Sequence, residues 1–356
     1  MNIYSFYNNK GGIGKTTLCS HVAPLYAKNN PDTQVLLIDM CPQANLSQFL
    51  LGGAEKGYKT IQELQTTKSR KNIVGFIDWI INGNVGFSSL PYSFKVQIHP
   101  YNSNIPKNIY LIAGDSFLES LSLALNYAVI NPADTKAWKK YMIVIRKLCE
   151  EEFTKDRYDK ITVFIDCNPS FSIYTQMALL SSDKIIIPMM ADYSSVEGVK
   201  GIFMLLYGKY PSVSAEKFAS NVMTFSKQVS SFGMELPIIH EFVFNNYTSN
   251  LGVAKAYESI RNDLIKFCYE QYNQFPELFN SKIKNITSRE DFENYYVSDV
   301  KDFHTAGKIS ASLGIPLYIL PEHTKYSMPD GESVKVETVR YKEALDHIKK
   351  LANKIE

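Results

Sequence analysis

Apolar residues fall along this chain in two rhythms. Short, near-continuous runs at residues 3–7, 34–38, 109–113, 160–165, 185–188, 238–244 and 317–320 read as buried strands. Between them lie stretches of helical period at residues 18–27, 117–129, 138–153 and 253–268, and a C-terminal stripe of Tyr341, Ala344, Leu345, Ile348, Leu351 and Ile355. Strands apolar on both faces and alternating with helices predict an α/β fold, a doubly wound, mostly parallel sheet flanked by helices on both faces. The pattern weakens twice. Residues 54–108 read as irregular, with one or two short helices, and residues 208–310 give a weaker signal around the strand at 238–244 and the helix at 253–268, with short helices and loops filling 269–307. Ser194-Ser195-Val196-Glu197 reads as the capped start of a further helix. A single domain over 1–356, carrying these two segments, is expected. The terminal stripe is expected to dock on the sheet rather than on a membrane, because Glu343, Asp346 and Glu356 dilute its basic side.

The first strand runs into Lys10-Gly11-Gly12-Ile13-Gly14-Lys15-Thr16-Thr17, and the first helix follows at once. The glycines let the backbone turn sharply and approach a polyphosphate, so that successive N–H groups and the positive end of the helix face the anion. Lys15 is placed to reach the β and γ phosphates, and Thr16 to offer its hydroxyl to Mg²⁺. The strands at 34–38 and 160–165 each deliver an aspartate at the carboxyl end, Asp39 and Asp166. Ligand chemistry in parallel sheets belongs at these ends. Asp166 closes an apolar strand in the manner of a residue that holds the hydration shell of Mg²⁺ beside Thr16.

Composition narrows the picture further. Hydrophobic content of 45% fits a packed globule, and a net charge of only +2 means that any nucleic-acid contact needs a local patch. The basic run Lys68-Ser69-Arg70-Lys71 is expected to be solvated surface. The five cysteines, Cys19, Cys41, Cys149, Cys167 and Cys268, form no C-x-x-C pair, which argues for reduced thiols and against a zinc or iron–sulfur site. No run of about eighteen apolar residues occurs, and the chain opens on a core strand rather than a signal core. The expectation is a cytoplasmic protein without integral membrane association.

The spacing of the loop departs from the ordinary G-x-x-x-x-G-K-[ST]: Asn9 stands where its first glycine would be, with Lys10 next. It resembles instead the deviant Walker A motif K-G-G-x-G-K-[ST] of the ParA/MinD superfamily of ATPases, closest to the ParA-type partition ATPases. The resemblance extends through Asn8-Asn9-Lys10-Gly11-Gly12, Leu36-Leu37-Ile38-Asp39 with Pro42, Gln43 and Asn45, Ile165-Asp166-Cys167-Asn168-Pro169-Ser170, and Pro188 with Ser195 to Gly198. It implies ATP and Mg²⁺ as cofactors, held by Lys10, Gly11, Gly12, Ile13, Gly14, Lys15, Thr16 and Thr17, with Asn245 against adenine and Thr16, Asp39 and Asp166 at the metal. It implies a homodimer closed through an ATP sandwich, in which Lys10 crosses to the phosphates of the second subunit. The implied catalytic set is Lys10, Lys15, Asp39 and Cys41. At Cys41 the family carries a second aspartate, which orients the attacking water. A thiol with pKa near ~8.5 is mostly neutral at pH 7 and a poor acceptor, and loss of a water-positioning group costs on the order of 10²-fold in rate.

The function implied is an ATP-dependent dimerising switch that binds non-specific DNA in its ATP state, answers to a ParB-like or other activating adaptor, and acts in plasmid or chromosome partition or cargo positioning at the nucleoid. With the loop at the tenth residue, a preceding helix-turn-helix domain is not expected. A MinD-like membrane or scaffold-positioning ATPase and a metabolic phosphoryl-transfer enzyme on the same fold are the alternatives. A bacterial tyrosine kinase, suggested by 23 tyrosines, lacks the expected C-terminal tyrosine cluster.

Overall fold

The structure is a computed structural model and describes residues 1–66, 70–247, 254–280, 286–320, 324–328, 331–336 and 338–356. Lys68, Ser69 and Val253, which fall in stretches read from the sequence above, lie outside the described residues.

Strands β1 (Asn2–Phe6), β2 (Thr33–Met40), β3 (Val96–Gln97), β4 (Ile109–Ile112), β5 (Lys160–Cys167), β6 (Lys184–Met189), β7 (Ile238–Tyr247) and β8 (Val297–Lys301) form one sheet. Their order is β3-β4-β2-β5-β1-β6-β7-β8, and only the edge strand β3 is antiparallel to its neighbour. Alternation along each strand explains the continuous apolar runs. In β2, Leu36, Ile38 and Met40 enter one apolar layer while Val35 and Leu37 enter the other, so the middle of the strand, residues 35–38, is apolar throughout. Helix α1 (Lys15–Asn29) and the C-terminal helix Thr338–Lys354 cover one face. Helices Ile73–Trp79, Leu118–Val129 and Ile173–Ser181 cover the other, which is the doubly wound arrangement that the alternation predicts.

The terminal stripe docks as expected, with Tyr341, Ala344, Ile348 and Leu351 buried against the α1 layer. No helix among the described residues is long and apolar enough to cross a membrane.

Three expectations are corrected. Residues 317–320 do not form a strand: Leu317–Ile319 make a 3₁₀ turn, and the Tyr341 hydroxyl bonds the carbonyls of Leu317 and Leu320 at 2.6 and 3.0 Å, taking acceptors that a strand would give to a ladder. The missing strand is β8, inside the stretch read as short helices and loops. Among the described residues it pairs only with β7, and it carries Ser298 and Asp299 at half-buried positions, so it lacks the apolar run of a central strand. The helix after β6 begins at Tyr193, one residue before the Ser-Ser pair. Its cap is Asp192, whose side chain accepts from the Ser195 backbone N–H.

The irregular segment 54–108 is more ordered than its sequence suggests. It holds the helices Ala54–Thr66 and Ile73–Trp79 and supplies β3. Buried Asn102 ties it down by donating to Leu50 O at 3.0 Å and Gly314 O at 2.7 Å. Arg70, expected in solvated surface, donates from Nε and Nη2 to the buried Asp115, both at 3.0 Å, and lies over the Phe117 ring.

Candidate functional site

The carboxyl ends of β1, β2 and β5 meet at one point because these strands are neighbours in register. Asp39 pairs with Asp166 across β2 and β5, and Phe6 pairs with Asp166 across β1 and β5. The loop leaving β1 therefore starts level with both carboxylates. It turns through Gly12 at φ 74° and Gly14 at φ 91°, the left-handed region that other residues adopt only with strain. At Gly14 a Cβ would also lie 2.0 Å from Asn245 Nδ2, so both backbone angle and space demand glycine there.

Lys15 is buried beneath the loop, its ammonium donating to the carbonyls of Asn8 at 3.1 Å and Lys10 at 2.9 Å. Burial holds its pKa below the ordinary lysine value, opposed by the nearby Asp166. The Thr16 hydroxyl donates to Asp166 Oδ2 at 2.6 Å, while Asp166 Oδ1 is buried without a hydrogen-bond partner. Burial first, and then the neighbouring Asp39, push the Asp166 carboxyl above its usual range. Asp39 is fully buried and held by three donors: the Cys41 N–H at 3.1 Å, the Ser47 N–H at 2.9 Å and the Ser47 hydroxyl at 2.7 Å. Burial raises its pKa too, and these hydrogen bonds oppose the rise. Ser47 is in turn fixed by the Gly114 N–H, which donates to its hydroxyl at 2.8 Å. An unpaired, buried carboxylate oxygen beside a threonine hydroxyl and a second carboxylate is a donor set suited to a divalent cation and its water.

Cys41 follows Asp39 into this site and is buried, its Sγ 3.9 Å from Gln43 Oε1. Burial and the Asp39 carboxylate push its thiol up to about 12, so it stands in the site as neutral S–H. Lys10 lies on the opposite flank of the loop. Its ammonium reaches the helix after β6, 2.5 Å from Asp192 Oδ2 and 3.3 Å from Ser195 Oγ. Asn245 is buried under the loop and donates from Nδ2 to Ile13 O at 3.1 Å, bracing the glycine turn from below.

A cleft of about 740 Å³ opens from Thr16 and Thr17 along the outer face of α1. Its walls include His21, Phe49, Phe303 and His304. His21 stands edge-on between Phe49 and Phe303, and its buried Nδ1 has no hydrogen-bond partner. His304 has φ 47°, a strained angle for a non-glycine residue, with its N–H bonded to Asp302 Oδ1 at 2.9 Å.

The structure brings Lys10, Lys15, Thr16, Asp39, Cys41 and Asp166 around one loop. Sequence reasoning missed Ser47, Asp192 and the segment around His304. Asp192 had a readable signal, an aspartate three residues before Ser195 at a helix start. Ser47 and His304 had none.

Fold and site together define a P-loop nucleotide-binding protein whose loop carries a second lysine. A family model described as an AAA domain matches residues 1–207, and the chain belongs to that family, as a P-loop ATPase of the ParA/MinD type. Among curated proteins, an uncharacterized protein of Pseudomonas putida is 28% identical over 200 residues, which are 56% of this chain and 60% of that protein's length. The chromosome-partitioning ATPase Soj of Treponema pallidum is 24% identical over 288 residues, covering 73% of this chain and 95% of Soj. Of solved structures, apo McdA of Cyanthece aligns over 98% of both chains with a TM-score of 0.53 and 14% identity. The ParA of pNOB8 aligns over 84% of this chain and 81% of its own, with a TM-score of 0.52 and 17% identity. These likenesses are of fold.

Proposed function

We propose that this chain is a single-domain, ATP-dependent dimerising switch of the ParA type, which binds non-specific DNA in its ATP state and positions a cargo through an activating adaptor protein. The observation that carries the reading is the pair of lysines on one loop. Lys15 is folded beneath its own loop, while Lys10 runs along the opposite flank to Asp192 of the same chain, from where the phosphates of a second copy would draw it. Relatives with a partition role, such as the Soj of Treponema pallidum, support the same reading.

The loop N–H groups and Lys15 would hold the phosphates of ATP, and Thr16, Asp39 and Asp166 would hold Mg²⁺, which supplies charge neutralisation between phosphate oxygens. The cleft beyond Thr17 has the volume and the aromatic walls for a nucleoside. Asn245 would act through the glycine turn, which it braces at Ile13 O, in addition to the adenine contact that the resemblance implies. Hydrolysis is slow, because neutral Cys41 stands where the family uses an aspartate to orient water.

Retention on non-specific duplex DNA, measured with ATP, with ADP and without nucleotide across a salt series, tests the reading. Binding with ATP alone, falling steeply with salt, is expected. Indifference to DNA in every nucleotide state would overturn the DNA-partition role and turn attention to a protein scaffold or a small-molecule acceptor.

A further inference from the structure

Lys10 is anchored at its backbone and held at its tip by a partly exposed ion pair with Asp192 and a longer contact to Ser195 Oγ. Asn8 is fully buried, donates from Nδ2 to Pro188 O at 2.8 Å, and accepts the Lys10 N–H on Oδ1 at 3.1 Å. The helix Tyr193–Leu205 sits directly on this stretch because it shows glycine there. A Cβ on Gly198 would lie 2.9 Å from Asn8 Oδ1, and one on Gly201 would lie 2.3 Å from Asn9 Nδ2. The base of Lys10 is therefore clamped between β1 and this helix, while its ammonium extends to the helix N-terminus.

Asp192 divides its two oxygens between separate tasks. Oδ1 caps the helix, accepting from the Ser195 N–H at 2.7 Å and the Ser194 hydroxyl at 3.0 Å. Oδ2 holds the Lys10 ammonium. Departure of Lys10 leaves the cap intact, so the lysine can leave without unwinding the helix. The side chains of the pair are 21% and 43% exposed, which puts its strength in the range of a surface ion pair rather than a buried one. A polyphosphate of several negative charges outcompetes one half-exposed carboxylate.

We propose that Asp192 is a positioning residue that stores Lys10 on its own subunit in the nucleotide-free chain and yields it to the triphosphate bound by a second copy, so that breaking this contact sets the ATP concentration at which two copies pair. This rests on the reading of the protein as an ATP-sandwich dimer. The separation of the two carboxylate oxygens supplies the test. Asp192→Asn keeps a side-chain oxygen for the cap but removes the charge that holds Lys10, and Asp192→Ser does the same with a shorter side chain.

Two measurements on the full chain are made with wild type and both variants. The first is the acetylation rate of Lys10 without nucleotide, followed by peptide mass spectrometry. The second is dimer formation against ATP concentration, followed by analytical ultracentrifugation. In both variants Lys10 is expected to react faster, and half-maximal pairing to need about 2- to 5-fold less ATP, the ratio that corresponds to one surface ion pair. Unchanged Lys10 reactivity in both variants overturns the storage contact. Faster reaction without a lowered ATP requirement overturns its control of pairing. If wild type fails to pair at saturating ATP while Lys10 reactivity responds to Asp192, the sandwich-dimer reading has failed and takes the proposal with it.

Discussion

At the scale of single residues, the site is built from positions that admit one kind of side chain. Gly14 accepts a Cβ only with strain, since its φ is 91° and the Asn245 amide would have to give up its place. Asp39 is held by three donors and has little freedom to move, which leaves the adjoining Cys41 as the position that chooses between a neutral thiol and a carboxylate. Cys41→Asp is accordingly expected to raise steady-state ATP turnover on the order of 10- to 100-fold, the usual range for a group that orients or accepts a proton from water. Equal turnover in the two proteins would show that this position does not limit hydrolysis. The loop, its two lysines, both aspartates and Cys41 were all legible in sequence because each follows an apolar strand by a fixed number of residues. Ser47 was not, since its role comes from a fold-back of the chain that puts it against Asp39 and Gly114.

At the scale of elements, strands buried on both faces were readable and edge elements were not. β2 and β5 carry apolar runs because helices cover both sides. β8 is an edge strand beside β7 with three polar residues, Ser298, Asp299 and Lys301, among its five, so its sequence resembles a loop. The segment 54–108 likewise gave a weak signal, because its order depends on distant partners. Gly53 and Gly314 approach so closely that a Cβ on Gly53 would lie 2.6 Å from Gly314 N, and Asn102 bonds the carbonyls of Leu50 and Gly314 beside them. Asn102→Ala leaves both buried carbonyls without this donor, and a loss of about 2–4 kcal/mol in urea unfolding is expected. A loss below about 1 kcal/mol would mean that water replaces the amide at no cost.

At the scale of the whole molecule, burial of histidines in the α1 layer makes stability depend on pH. Burial lowers the pKa of His21 from 6.5 to about 3 and that of His240 from 6.5 to about 4. Below pH 6.5 the unfolded chain therefore binds protons that the folded chain refuses, and stability falls as pH falls toward those folded values. The buried pair Asp39 and Asp166, with raised pKa values, acts in the opposite sense and gains stability on acidification. A difference between variants isolates the histidine contribution. His21→Phe keeps a ring between Phe49 and Phe303, and its loss of stability between pH 7 and pH 5 is expected to be smaller than that of wild type by about 2 kcal/mol. An equal loss in both proteins would show that His21 takes up its proton while folded.

What the sequence determined by itself was the class of fold and the chemistry of the loop. Both are local or periodic: a glycine turn between a strand and a helix, apolar runs ending in aspartate, and a second lysine one residue after the place of the ordinary phosphate loop's first glycine. Tertiary structure alone decided which distant groups act on that loop. It placed Asp192 against Lys10, Asn245 under Gly14, Ser47 on Asp39 and the His304 segment along α1. Those contacts join residues dozens to hundreds of positions apart, or run through a fold-back with no period of its own. The side chains that make them are ordinary polar residues until the sheet order and the register of its parallel strands bring them together.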